Sequence, residues 1–203
     1  MTEHTDADPR DPKATRRCFG DGDPAFERYH DEEWGFPVLD EHGLFERLSL
    51  EAFQSGLSWR TILNKRPAFR AAFADFDPDV IARFGQADVR RLIGDVQIVR
   101  NRAKMANARA TVAMRASGQP LDAVIRAYAP ATRRSPPATW ADVPAVVAES
   151  VALARELKRS GLRFVGPTTL YALMQACGFV DDHLSGCPAR PAAERARRAA
   201  GLI

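Results

Sequence analysis

The 203-residue chain is poor in several things. It has only three cysteines, too few and odd in number for a secreted disulfide framework. No apolar run approaches the roughly 18 residues of a membrane span, so an integral membrane protein is excluded. The opening MTEHTDADPRDPKAT is polar and acidic, without the apolar core of a secretory signal, and a cytoplasmic protein is expected. No segment of convincing length alternates apolar and polar residues as a half-buried strand does. No internal repeat marks a solenoid.

What the chain does have is a globular balance, 45% hydrophobic and 27% charged residues. Its net charge of +3 conceals a front-to-back asymmetry. Residues 1–50 hold 6 Lys and Arg against 13 Asp and Glu; the remainder hold 23 against 13. A basic body suits an anionic partner such as nucleic acid, although an arginine-rich solvated surface reads the same way.

Helical periodicity dominates from Leu39 onward. Leu44, Phe45, Leu48, Ala52 and Phe53 fall on one face. Asp77-Pro78 is a helix start, and further helices are expected over 86–93, 99–117 (with Arg100, Arg102 and Lys104), 144–160 and 168–177. Residues 1–15 read as a disordered acidic tail, 16–188 as one helical unit, and 189–203 as a basic tail or loose terminal helix. The fold class is all-α.

Cys18 and His30 lie twelve apart near the front, and His183 and Cys187 four apart near the back. Two thiolates with two imidazoles make a closed tetrahedral set for structural zinc, which would staple the two ends together. Four unrelated loop residues would look the same. Cys177 sits in an apolar helix as a small hydrophobe. His30-Asp31-Glu32 satisfies half of a zinc deaminase signature, but the required Pro-Cys-x-x-Cys is absent.

Tyr29, Trp34, Glu51 and Trp59 form a second constellation. Rings stack on an extruded nucleobase, and a carboxylate accepts hydrogen bonds from an exocyclic amine; ordinary core packing is the alternative. Third, residues 157–169 read as helix, glycine-pinched hairpin, helix, with Lys158, Arg159 and Arg163 beside the second helix start. That arrangement offers amides and positive charge to phosphate, or is a plain helical corner.

The runs YHDEEWG (29–35), LEAFQSGLSWRTILNKR (50–66), FRAAFADFDPDVIA (69–82), IVRNRAK (98–104) and RFVGPTTLYALMQACG (163–178) resemble the 3-methyladenine DNA glycosylase I family. The likeness covers about residues 16–188. It implies a helix-hairpin-helix fold with a structural Zn2+ on Cys18, His30, His183 and Cys187. It also implies excision of 3-methyladenine from alkylated double-stranded DNA by a monofunctional glycosylase; a monomer is the default expectation. A related protein acting on bulkier N3-alkyladenines, or binding lesions without catalysis, is the alternative.

By the same resemblance, Glu51 and Tyr29 are the catalytic pair, with Glu51 reading the adenine amine edge. Trp59, Trp34, Phe26 and Phe19 line the base pocket. Gly161, Arg163, Phe164, Val165, Gly166 and Thr168 belong to the DNA-holding hairpin. Phe19-Gly20 stands where the family usually has a tryptophan two residues past the first cysteine, Phe26 where it has a pocket tyrosine, and Gln97 where it has a turn glycine. Schiff-base lyase chemistry is not expected, since it needs a pocket lysine and the last lysine, Lys158, precedes the hairpin.

Overall fold

A computed structural model describes residues 17–54, 56–100, 106–131 and 134–203. The expected acidic tail at 1–15, and Arg102 and Lys104, lie outside the described residues. Within them the protein is all-helical, with no strand.

Short polar caps set the helix starts. The Asp23 carboxylate accepts from the amides of Ala25 and Phe26 and opens α1 (Pro24–Glu32), whose proline sits where no amide donor is missed. Asp40 caps α2 (Glu41–Phe53), Ser58 caps α3 (Trp59–Ala72), and Asp77 caps α4 (Pro78–Ala82). α5 (Gln86–Gly94), α6 (Ala106–Ala116) and α7 (Leu121–Ala127) follow. The last three are α8 (Ala148–Arg159), α9 (Pro167–Ala176) and α10 (Arg190–Ala199).

α2 is the central helix. Every residue from Leu44 to Phe53 is buried, so its apolar face and its few polar side chains are both enclosed. It lies against α9, α7 and α3, while α8 pairs with α9 and α4 with α6. Leu44, Leu48, Phe53, Phe69, Phe76, Leu170 and Met174 fill the main core between them. The chain after α1 is laid onto the end of α9 by two amide bonds, Gly35 to the Gln175 carbonyl and Val38 to the Cys177 carbonyl. Gly178 (φ +72°) allows this crossing, since a Cβ there would stand 2.8 Å from the Gly35 oxygen.

Three helix expectations change. Of the predicted 99–117 helix, Ala106–Ala116 form α6, whereas Val99 and Arg100 are not helical. Just before them, the Asp95 carboxylate accepts from the Gln97 amide and turns the chain. The predicted 144–160 helix begins at Ala148, with Val147 extended as its cap. The 189–203 stretch is not loose: α10 packs Ala193 fully inside and buries the side chains of Arg190 and Arg197.

Candidate active site: an aromatic cavity beside a thiol–imidazole cluster

α1 presents Phe26 and Tyr29 one turn apart, and Trp34 follows just past its end. Glu51 comes from the last turn of α2, and Trp59 is the first residue of α3. With Phe19, these side chains surround a cavity of about 290 Å³. Ring centroids lie 5.3 Å apart for Tyr29 and Trp59, 5.1 Å for Phe19 and Trp34, and 5.0 Å for Phe19 and Phe26. All six residues expected to form the base pocket are therefore brought together. Gln54, Trp140, Ala172 and Gln175, which motif reading missed, complete the lining.

The polar groups here are incompletely used. Glu51 is only 8% exposed, and among the described residues no hydrogen bond reaches its carboxylate. Burial pushes its pKa up to about 8, against the opposing pull of Arg47 one turn earlier. The buried indole N–H of Trp59 also has no partner. Tyr29 is buried, and both burial and the Glu51 charge hold its hydroxyl well above the ordinary tyrosine range. A carboxyl group near its midpoint at neutral pH can either donate or accept, which suits a heteroaromatic edge bearing both kinds of site.

Behind the cavity, Glu33 ties three helices. Arg66 grips it through both guanidinium arms, at 2.5 and 2.8 Å, and Arg47 reaches it at 2.6 Å. Burial works to raise the Glu33 pKa, but the hydrogen bonds from Arg66 and Arg47 carry it down to about 2. Arg47 also lies over the Tyr29 ring, 6.0 Å from its centroid. This brace fixes α1 against α2 and α3, and with it the spacing of the rings.

The expected metal ligands meet on the other side of the pocket wall. Potential ligand atoms of Cys18, His30 and Cys187, all buried, lie within 4.8 Å of one another. His183 stands beside them, its ring centroid 5.2 Å from that of His30. Both imidazoles have Nδ1 against a carboxylate, His30 with Asp31 at 2.7 Å and His183 with Asp181 at 2.9 Å. The His183 Nε2 is buried and has no partner. Two thiols, two oriented imidazoles and one orphaned ring nitrogen fit a thiophilic divalent ion such as zinc.

Gly35 keeps a Cβ from this corner, where it would stand 2.6 Å from the His183 ring. Trp34 packs edge-on to His183 at 4.6 Å and Phe19 edge-on to His30 at 4.8 Å, so rings of the aromatic cavity rest directly on the imidazoles. The second oxygen of Asp181 faces Arg190 at 3.5 Å and Arg197 at 3.9 Å, both on α10.

The hairpin between α8 and α9 borders the same cavity. A groove of about 460 Å³ runs past Phe164, Gly166 and Thr168 and shares Glu51, Gln54 and Ala172 with the aromatic cavity. Gly161 turns the chain at φ +92°. Gly166 caps α9 without a side-chain acceptor, leaving the first amides of that helix available to an anion. Arg163 and Phe164 are exposed, as a phosphate-facing loop requires.

Val165 is the exception among the hairpin residues. The whole residue is buried and anchors the turn, so it offers no exposed surface to a ligand, contrary to its expected place among the DNA-holding residues. The anchor has a partner that the sequence did not announce: buried Asn107 accepts from the Arg163 amide at 2.8 Å and donates to its carbonyl at 2.9 Å.

Comparisons with known proteins agree with this geometry. The methyladenine glycosylase family profile matches residues 19–190. DNA-3-methyladenine glycosylase 1 of Escherichia coli K12 is 42% identical over 177 residues, covering 83% of this chain and 93% of that protein. DNA-3-methyladenine glycosylase of Haemophilus influenzae Rd is 39% identical over 184 residues, 87% of this chain and 98% of that one. A crystal structure of 3-methyladenine DNA glycosylase I superposes with TM-score 0.82 at 41% identity, covering 87% of this chain and all of the other. A Staphylococcus aureus 3-methyladenine DNA glycosylase I, solved to explain 3-methyladenine recognition, superposes with TM-score 0.81 at 33% identity, covering 88% and 98%.

Proposed function

The chain belongs to the methyladenine glycosylase family, and from that premise we propose that its aromatic cavity receives a 3-methyladenine turned out of duplex DNA, with Glu51 reading the base. The reaction is hydrolysis of the N-glycosidic bond of 3-methyladenine in alkylated DNA. Methylation at N3 makes the adenine cationic. When the N9–C1′ bond breaks, its electron pair goes to the base, which leaves neutral. Water bonds to C1′ and gives up a proton. The leaving group carries its own activation, so the pocket needs no strong acid, only extrusion, stacking and interactions that favour the departing base.

Tyr29, Trp59, Trp34, Phe26 and Phe19 supply ring faces. Glu51, neutralised by burial when the pocket is empty, is drawn toward the carboxylate form by the incoming cation and pairs with its amine edge. A normal, uncharged adenine gives no such inducement. The carrying observation is the buried Glu51 carboxyl group, without a hydrogen bond among the described residues, lining a cavity walled by rings.

The α8–α9 unit acts as a helix-hairpin-helix that holds the DNA backbone through Arg163, the backbone at Gly161–Gly166 and the first amides of α9. Cys18, His30, His183 and Cys187 hold a structural zinc ion, which supplies no chemistry to the bond cleavage and clamps the front of the chain to its back. The enzyme acts as a monofunctional, cytoplasmic monomer. Among the described residues no helix is long and apolar enough to cross a membrane.

The test is base release from methylated duplex DNA under single-turnover conditions, with DNA affinity measured in parallel. E51A is expected to lose on the order of a hundredfold in release while affinity changes a few-fold, because Glu51 touches the base and not the backbone. Equal losses in both would overturn the assignment. Stripping metal with a chelator is expected to lower Tm and zinc content together, since binding is coupled to folding. A zinc-free protein of unchanged Tm would refute the clamp.

A further inference from the structure

Trp140 belongs to none of the motifs above. It reaches the site from the far side of the chain, on a single 3-10 turn, Trp140–Asp142. That turn is locked by its own cap: the Thr139 amide donates to the Asp142 carboxylate at 2.8 Å and the Thr139 hydroxyl at 3.0 Å. The indole N–H donates to the carbonyl of Cys18 at 2.8 Å, a pairing 122 residues apart in sequence. Its ring sits 6.1 Å from Trp34 and 6.2 Å from Phe19 and lines the cavity.

Yet 44% of Trp140 is exposed. Leaving so much indole in water forgoes burial energy at roughly 25 cal/mol per Å². The fixed turn and the bond to Cys18 nevertheless hold the ring in one orientation. A large, rigid, half-exposed ring on the rim of a cavity is a preorganised contact surface.

We propose that Trp140 is a specificity-determining residue: its indole forms the outer wall of the base pocket and sets the largest N3 substituent that can enter with the adenine. The inference rests on the reading of the cavity as the 3-methyladenine pocket and adds to it the source of its size limit. A wall of this kind discriminates sterically, and one extra methylene against a fixed pocket surface is worth about 10–200-fold.

The experiment compares bases released from methylated and from ethylated duplex DNA by wild type, W140A and W140F. For W140A, the ratio of 3-ethyladenine to 3-methyladenine release is expected to rise at least tenfold over wild type, while 3-methyladenine release falls only a few-fold. W140F keeps a ring but loses the bond to Cys18, and its ratio is expected to rise by a smaller factor. If W140A does not fold, the W140F ratio decides alone. An unchanged ratio, even with slower release of both bases, would reduce Trp140 to a packing residue and overturn the inference. A wild-type enzyme that releases no 3-methyladenine would instead strike the reading of the cavity itself.

Discussion

Two groups of aromatic rings in this molecule have nearly the same spacing and opposite purposes. Phe53, Phe69, Phe73 and Phe76 stand with centroids 4.5 to 6.5 Å apart, each at most 5% exposed, and form part of the main core. Phe19, Phe26, Tyr29, Trp34 and Trp59 are spaced almost identically, 5.0 to 6.4 Å where Phe26 meets Phe19 and Tyr29, but they enclose a cavity. Ring spacing therefore does not separate core from site. The polar atoms do: the second group is accompanied by a buried carboxyl group and an indole N–H that, among the described residues, have no hydrogen-bond partner. Unmet hydrogen-bonding capacity beside a void is costly unless a ligand meets it.

The comparison breaks most sharply on a matched pair of truncations. Phe69→Ala, in the packed group, is expected to cost about 3–5 kcal/mol of stability and leave base release per folded molecule unchanged. Phe26→Ala, in the open group, is expected to cost under about 1.5 kcal/mol and slow release roughly tenfold, because the ring faces a cavity already present. Denaturant unfolding and single-turnover release on the same samples read both. Similar stability losses at the two positions would erase the distinction.

Next in size is Glu51→Gln, which keeps shape and removes the titration. The folded-state pKa of Glu51 is raised to about 8 from its ordinary 4.5. The native state thus keeps the proton longer than the unfolded chain does. Its stabilising share is full below about pH 4.5 and is lost as pH rises through about 8. The glutamine variant is expected to flatten that decline and gain about 2–3 kcal/mol over wild type at pH 9. Wild-type kcat/KM is expected to rise with pH as Glu51 ionises, and the glutamine variant is expected to lack that rise. A stability gain accompanied by lost activity is the signature of a site and not of a core.

The smallest expected effect is at Arg47, whose charge opposes the rise at Glu51. Arg47→Met is expected to move the alkaline midpoint of kcat/KM upward by about half a unit to one unit, leaving the high-pH plateau within a few-fold. A midpoint that stays put would mean that Arg47 serves only its ion pair with Glu33.

What could be read from sequence was whatever is carried by local pattern. The cap Asp77-Pro78 marks a helix start from two adjacent residues, and the ring, carboxylate and thiol–imidazole sets stand in short recognisable runs. What escaped depends on pairs far apart in the chain. Asn107 grips Arg163 across 56 residues, Glu33 gathers Arg47 and Arg66 from two helices, and Trp140 finds Cys18 only after folding. No local propensity encodes such meetings. The overextended helix at 144–160 has the same origin in reverse: helix-forming composition continued past the point where the extended cap residue Val147 redirected the chain. Resemblance assigns Val165 to the DNA-holding hairpin with the rest of its motif, yet it is the residue turned inward.

Asp181 gives the far end of the polypeptide a stake in the pocket. One of its oxygens holds His183; the other looks toward two guanidinium groups on α10. Truncation after Ala189 would delete both cations and strand an anion that is 2% exposed, a defect worth about 3–5 kcal/mol. Its nearest remaining neighbour is the imidazole against which Trp34 leans, so shortening the tailpiece would be felt, through two side chains, by a ring that walls the aromatic cavity.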